Sequence, residues 1–313
     1  MLRTNRISIV GKPEVTFGTR VEPVAGDNDV KIISSGQPTL DFGTESLGKL
    51  ADGTFIDAPV VSKVRKITLP DFMMQVRAGS AIGVEAKYWK YAKACGYKVT
   101  GTTTKSITWD GVPAGDTLST DFVSYSSTGA GMTYKGRGMC GNMSFKAEGQ
   151  NAPIMAVVSG MTGAFVGEVD VPSATVIAVT GADASVGETM GNYIVTIGSD
   201  VYQCSAWEFN PNNEINIEAA NNAEGIAKAA ITTQAAKLTM TFVKKIAVDT
   251  VVEDTLAGTV KTVTILGGAG SFVDFTATGC YGQTPSLDDI EGTVGNTVEY
   301  IVTGTFTATN SAV

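Results

Sequence analysis

The run Lys237-Leu-Thr-Met-Thr-Phe242 sets Leu238, Met240 and Phe242 against Lys237, Thr239 and Thr241. A side-chain period of two sends these groups to opposite faces of an extended strand, one face buried and one wet. The pattern returns at the C-terminal end, where Tyr300, Val302 and Phe306 alternate with Glu299, Thr303, Thr305 and Thr307. It appears again at Met143, Phe145 and Ala147 against Ser144, Lys146 and Glu148. A chain written this way folds as sheets with a buried face and a Thr-rich polar face. Charged residues make up 17% of the chain, below the roughly 25% of ordinary soluble domains, and Gly is abundant at 36 of 313 residues. Both favour packed β-structure.

Several function classes are disfavoured by what is present. The net charge is −8, with no extended Lys or Arg cluster to displace counterions from nucleic-acid phosphates. No apolar run approaches the roughly 20 residues of a membrane span, and the opening MLRTNRISIVGKPE lacks the apolar core of a signal peptide; the chain reads as made and kept in a cytosol. Histidine is absent, which removes Ser-His and Cys-His nucleophile pairs. A carboxylate pair could still hydrolyse a glycoside, but Asp288, Asp289 and Glu291 read as a turn, and Glu253 with Asp254 as part of a short helix. Cys95, Cys140, Cys204 and Cys280 are too dispersed for a metal-binding or redox CxxC pair and read as buried thiols. No catalytic residue, cofactor or metal is expected.

Gly136, Gly138 and Gly141 in GRGMCG spell the dinucleotide-loop pattern, which requires a helix immediately after it. The residues after Gly141 have the period of a strand instead, so a glycine-rich turn or bulge is expected there. Asn142-Met-Ser spells a glycosylation acceptor without the secretory context that would give it meaning.

One helix stands out, predicted over about residues 83–95 around YWKYAKACGY. Tyr88, Trp89, Tyr91 and Ala92 make an apolar stripe that covers one side of a sandwich, and a glycine closes it.

The order of elements repeats at long period. GQPTLDFGTES (36–46) resembles CSAWEFNPNNE (204–214), each a strand entering a turn. A loop comes next in each, LGKLADGTFIDAP or INIEAANNAEGIAKAA, then a long strand, VVSKVRKITLPDFMMQV or ITTQAAKLTMTFVKKI. Pro70 suggests a bulge or an edge in the first of these. Each half then has a helix, the second predicted at about 249–257, and FKAEGQNAPIMAVVSGMTG parallels IEGTVGNTVEYIVTGTFT. The division expected is a first module over 1–175, carrying an N-terminal arm and a loop over 43–59, and a second over 176–313.

KPEVTFGTRVEP, WKYAKACGY, YKGRGMCGNMSFKAEGQNAPIMAVVSGMTG and DIEGTVGNTVEYIVTGTF, in this order and spacing, resemble the tail tube proteins of tailed bacteriophages. The resemblance spans most of the chain and is weakest between the halves; no added immunoglobulin-like domain is evident. It implies a mainly β fold of two tandem tail-tube-like sandwich or barrel modules, each with one short α-helix. It further implies rings stacked into a hollow tube of the virion tail, assembled in the host cytoplasm. Other copies of the chain, tail terminator, tape measure and tail-tip proteins are the implied partners, and genomic DNA passes through without specific binding.

Two modules per chain let three copies close a ring in place of six, and closure removes exposed strand edges. With four strands per module, about 24 strands at ~4.8 Å spacing and ~40° tilt give a barrel about 48 Å across, wide enough for a DNA duplex. Three copies at −8 each put −24 on a ring, and a negative, Thr-rich wall repels phosphates. Glu148, Asp274 and Glu299 are the candidate lumen acids; their faces could equally point outward. Leu47, Leu50, Phe55 and Ile56 are unusually apolar for a surface loop and either contact the next ring or tuck into their own sandwich. The N-terminal arm is a second contact candidate, ordered by a partner strand from a neighbour. The rival reading is a carbohydrate-binding or adhesin-like β-sandwich, which would display exposed aromatic platforms.

Overall fold

The computed structural model describes residues 6–34, 36–46, 59–81, 83–125, 131–149, 151–170, 179, 187–220, 222, 224–245, 251–267, 273–283, 285–290 and 293–310. Among the described residues it is mainly β, with two short helices and a closed six-stranded barrel carrying outer strands.

The barrel is built from the second half of the chain. Its strands are β11 (Tyr193–Ile197), β12 (Asp200–Asn210), β15 (Lys237–Lys245), β16 (Val260–Gly267), β17 (Val273–Gly282) and β19 (Thr293–Val302). Antiparallel pairings run β11 to β12, β15, β19, β17, β16 and back to β11. The alternation read from 237–242 holds: Leu238, Met240 and Phe242 are buried in the core, with Val298 and Tyr300 of β19 beside them.

Strands of the first half form a second circuit that stays open. β1 (Arg6–Pro13) pairs β8 (Leu118–Tyr125), which pairs β9 (Gly131–Glu148), then β10 (Met155–Val169), β5 (Phe72–Gln75) and β2 (Ile32–Ser34). β1 and β2 come close without forming a ladder. α1 (Trp89–Ala94) packs against β1, and its Tyr91 hydroxyl donates to the Ile9 carbonyl at 3.0 Å and accepts from the Gly11 N–H at 3.1 Å. A Cβ on Gly11 would lie 2.8 Å from the Tyr91 ring, so the close approach needs glycine there.

The two halves share one hydrogen-bonded sheet. The end of β9 pairs β12 from Phe145↔Phe209 to Glu148↔Ala206. The last strand, β20 (Phe306–Asn310), lies between β17 and β7 (Ser106–Trp109), and β7 pairs on its other side with β6 (Lys98–Thr100). The core follows this interleaving. The Phe145 ring meets Tyr88 and Tyr97 of the first half and Phe275 and Phe306 of the second, at centroid distances of 5.6–6.3 Å. Phe306 also stacks on Phe209 at 3.8 Å.

Several expectations change. The predicted helix over 83–95 contracts to six residues, because a turn from Ala81 to Val84 precedes it and Gly79 is packed too tightly against the Val84 carbonyl for any side chain. Its C-terminal end is as read: Gly96, at φ +89°, donates to the Lys93 carbonyl, and the Tyr97 N–H reaches back to Ala92, the pairing that satisfies terminal carbonyls. The second helix, α2, is Val251–Leu256. VVSKVRKITLPDFMMQV is two strands, β4 (Pro59–Thr68) and β5, separated around Pro70. INIEAANNAEGIAKAA, read as a loop, is the hairpin of β13 (Glu214–Ala219) and β14 (Ile226–Thr233). SLDDIEG, read as a turn, contains β18 (Ser286–Ile290), paired with β19. GRGMCG is a bulge within β9, where Gly138 adopts φ +59°.

Candidate assembly interface

β3 (Thr39–Ser46) and β4 form a hairpin whose connecting loop holds Leu47, Leu50, Phe55 and Ile56; these four lie outside the described residues. The N-terminal arm behaves differently from the expectation that a neighbouring chain supplies its strand partner. Residues 6–13 pair with β8 of their own chain. The next segment is fastened by Glu14, whose carboxylate accepts from Ser119, Thr117, Gly138 N–H and Gly18 N–H at 2.6–2.8 Å. Arg20, half-buried, pairs with the buried Asp121 at 2.5 Å and donates to the Gly136 carbonyl at 2.7 Å. Burial outweighs the guanidinium and raises the Asp121 carboxyl above its ordinary value.

The candidate lumen acids fall on two walls. Glu148 and Glu299 share the outer face of β9, β12, β15 and β19, linked through cross-strand partners Ala206, Glu208 and Thr239. Neither presents a bare charge: Glu148 pairs with Lys146 at 2.6 Å and Glu299 with Lys237 at 2.9 Å. Lys146 stands directly opposite Glu208, a residue the alternation could have flagged as outward-facing. Asp274 is elsewhere, on the outer face of β17, where its carboxylate accepts from the Gly267 N–H at 2.8 Å.

The wall bearing Asp274 has a feature that alternation alone could not reveal. Thr196, Thr264, Thr276, Thr307 and Thr108 stand in unbroken register across β11, β16, β17, β20 and β7. Neighbouring hydroxyls pair with each other, Thr108 with Thr307 at 3.4 Å, Ser106 with Thr309 at 2.9 Å and Thr278 with Thr305 at 3.1 Å. Such a surface satisfies much of its own hydrogen bonding and carries little charge. Beyond it, Val260, Tyr281 and Ile301 form a half-exposed apolar row across β16, β17 and β19.

The helix residues Tyr88, Trp89, Tyr91 and Ala92 are all buried. All four cysteines are buried and unbridged; burial pushes the thiols of Cys140, Cys204 and Cys280 up to about 12 and raises that of Cys95 as well. Among the described residues no cluster of three or more His, Cys, Asp or Glu is placed to hold a metal ion, and no helix is long and apolar enough to cross a membrane. Compared with known protein families and with curated protein sequences, the chain matches none.

Proposed function

We propose that the chain is a structural subunit of a bacteriophage tail tube, built of two tandem β modules that assemble into stacked rings, three copies to a ring, around a conduit for genome passage. The observation that carries this reading is a recurrence of strand connectivity. Numbered in chain order, the six strands of the barrel circuit follow the cycle 1-2-3-6-5-4. The six strands of the open circuit, β1, β2, β5, β8, β9 and β10, follow the same cycle with only the link from first to second missing. Each half inserts a hairpin between its second and third strands, β3–β4 or β13–β14, and a short helix between its third and fourth. The fifth strands carry the same bulge: Leu118↔Met139 then Thr120↔Gly136 in one, Lys261↔Cys280 then Val263↔Ala277 in the other, around Gly138 and Gly279 at φ +59° and +65°. This supports the division near residues 170–190, with the hairpins matched one step later along the chain than sequence similarity suggested.

A duplicated sheet module suits a ring-forming subunit, because head-to-tail contacts between like units close rings. The segment with Leu47, Leu50, Phe55 and Ile56, which joins β3 to β4 in sequence, is assigned the contact between rings. Glu148 and Glu299, or Asp274 with its threonine wall, line the conduit. The carbohydrate-binding alternative needs exposed aromatic platforms, whereas Trp89, Trp109 and Trp207, all three tryptophans of the chain, are buried.

Negative-stain microscopy of the purified chain tests the reading: hollow rings or tubes are expected, and a monodisperse monomer under all assembly conditions overturns it. Phe55→Asp is expected to shorten tubes while rings persist. Reversing Glu148 and Glu299 to Lys is expected to slow genome release more than it impairs assembly; unchanged release removes that wall from the conduit.

A further inference from the structure

The chain contains one junction between its halves that its own ends leave unrepeated. The last part of β9 is held on one side by β10 and on the other by β12, the second strand of the second circuit. In the second half, the corresponding continuation of the fifth strand is β18, which among the described strands pairs only with β19. In the first half, the strand corresponding to β12 is β2, which among the described strands pairs only with β5. Among the described strands, one edge of the donor kind and one of the acceptor kind therefore remain without a ladder partner.

Resting on the tandem reading above, we propose that β18 of one copy adds to the free edge of β2 in a second copy, repeating between chains the contact that β9 makes with β12 within one. Unpaired strand edges are templates for such addition. The two edges also differ in charge. β18 carries Asp288 and Asp289. Beside β2 lies a groove of about 240 Å³, lined among others by Lys31, Arg77 and Lys87 with Asp29 as its acid. Lys31 is exposed and makes no ion pair among the described residues, and Ile33 is 59% exposed on the edge strand itself. A cationic groove on a chain of net charge −8 favours an acidic strand by charge complementarity.

The other link between the halves, β20 on β7, does not repeat. Its acceptor counterpart on β10, residues 162–164, is already held by β4, and no hairpin lies between α2 and β16 to act as donor. The contact is therefore directional, with one donor edge and one acceptor edge per chain, which is the arrangement that closes rings.

Lys31→Cys and Ser286→Cys change two exposed side chains flanking the proposed seam, and the native thiols are buried. A short bis-maleimide added to an equimolar mixture of the two variants is expected to give a cross-linked pair at least tenfold above either variant alone, with yield falling as salt rises. Hollow rings without that cross-link overturn the edge assignment and leave the tail-tube reading standing. The cross-link without rings supports the edge pairing and removes the tube reading. Failure of both overturns both.

Discussion

The Tyr91 hydroxyl takes the place of a neighbouring strand for Gly11: it accepts the Gly11 N–H at 3.1 Å while donating to the Ile9 carbonyl at 3.0 Å. One phenol thus satisfies two backbone groups on an edge where another strand could otherwise add. Tyr91→Phe leaves both groups buried and unpaired, at a cost of about 1–3 kcal/mol. Urea denaturation will show the lower stability, and amide exchange will quicken at Gly11 before it does at β8. Unchanged exchange at Gly11 would mean that water replaces the hydroxyl.

The paired bulges give a ranked prediction. Gly138→Ala and Gly279→Ala both force an L-residue into left-handed backbone, costing about 1–2 kcal/mol. A Cβ at position 279 would also lie 2.5 Å from the Gly304 backbone nitrogen, whereas at position 138 the nearest atom is Lys228 Cα at 3.2 Å. Gly279→Ala is therefore the more damaging, and thermal melts of the two variants will place it lower. The reverse order would show that the second bulge relaxes more readily than the first.

Phe145 joins the cores of the two halves, so Phe145→Ala removes contacts on both sides at once. The expected loss is about 3–5 kcal/mol. Unfolding followed by fluorescence and by circular dichroism will remain one coincident transition in the native chain, since no apolar boundary separates the halves. Two separated transitions in the native chain would contradict the shared core.

Acid sensitivity arises from paired carboxylates. Burial alone would raise Glu85, but hydrogen bonds and charge from Lys93 and Lys105 outweigh it and hold the carboxyl below its ordinary value of 4.5. Glu22 is held down in the same way, by Lys135 and Arg20. A depressed folded-state pKa contributes stability above the unfolded value and loses it as pH falls through the folded one. Stability thus drops as pH goes below about 4.5, and Glu85→Gln flattens that part of the profile in urea midpoints taken from pH 3 to 6. Asp121, raised by burial, has the opposite sign, its contribution falling as pH rises through its folded value.

Much of the β character is legible locally, because Leu238, Met240 and Phe242 obey a strict period of two and belong to one uninterrupted strand. The β13–β14 hairpin escapes notice because β13 is largely exposed, β14 buries only Ile226 and Ala229, and a composition rich in Ala, Asn and Glu has weak strand preference. The end of α1 is written in Gly96, but its start is set by the packing of Gly79 against Val84, which no spacing rule encodes. The acids are legible in the sequence but their ion pairing is not: Lys237 sits 62 positions from Glu299, and only the register of β15 on β19 brings them together. The threonine ladder is hidden for the same reason, each rung coming from a different strand.

β20 completes the sheet against β7, with Thr309 hydrogen-bonded to Ser106 across 203 positions of sequence. During synthesis the border of the first half at β7 therefore stays unsealed until the chain has been made through β20. A nascent fragment that stops short of β20 cannot reach the finished shape, so the first half matures only after the second has been made.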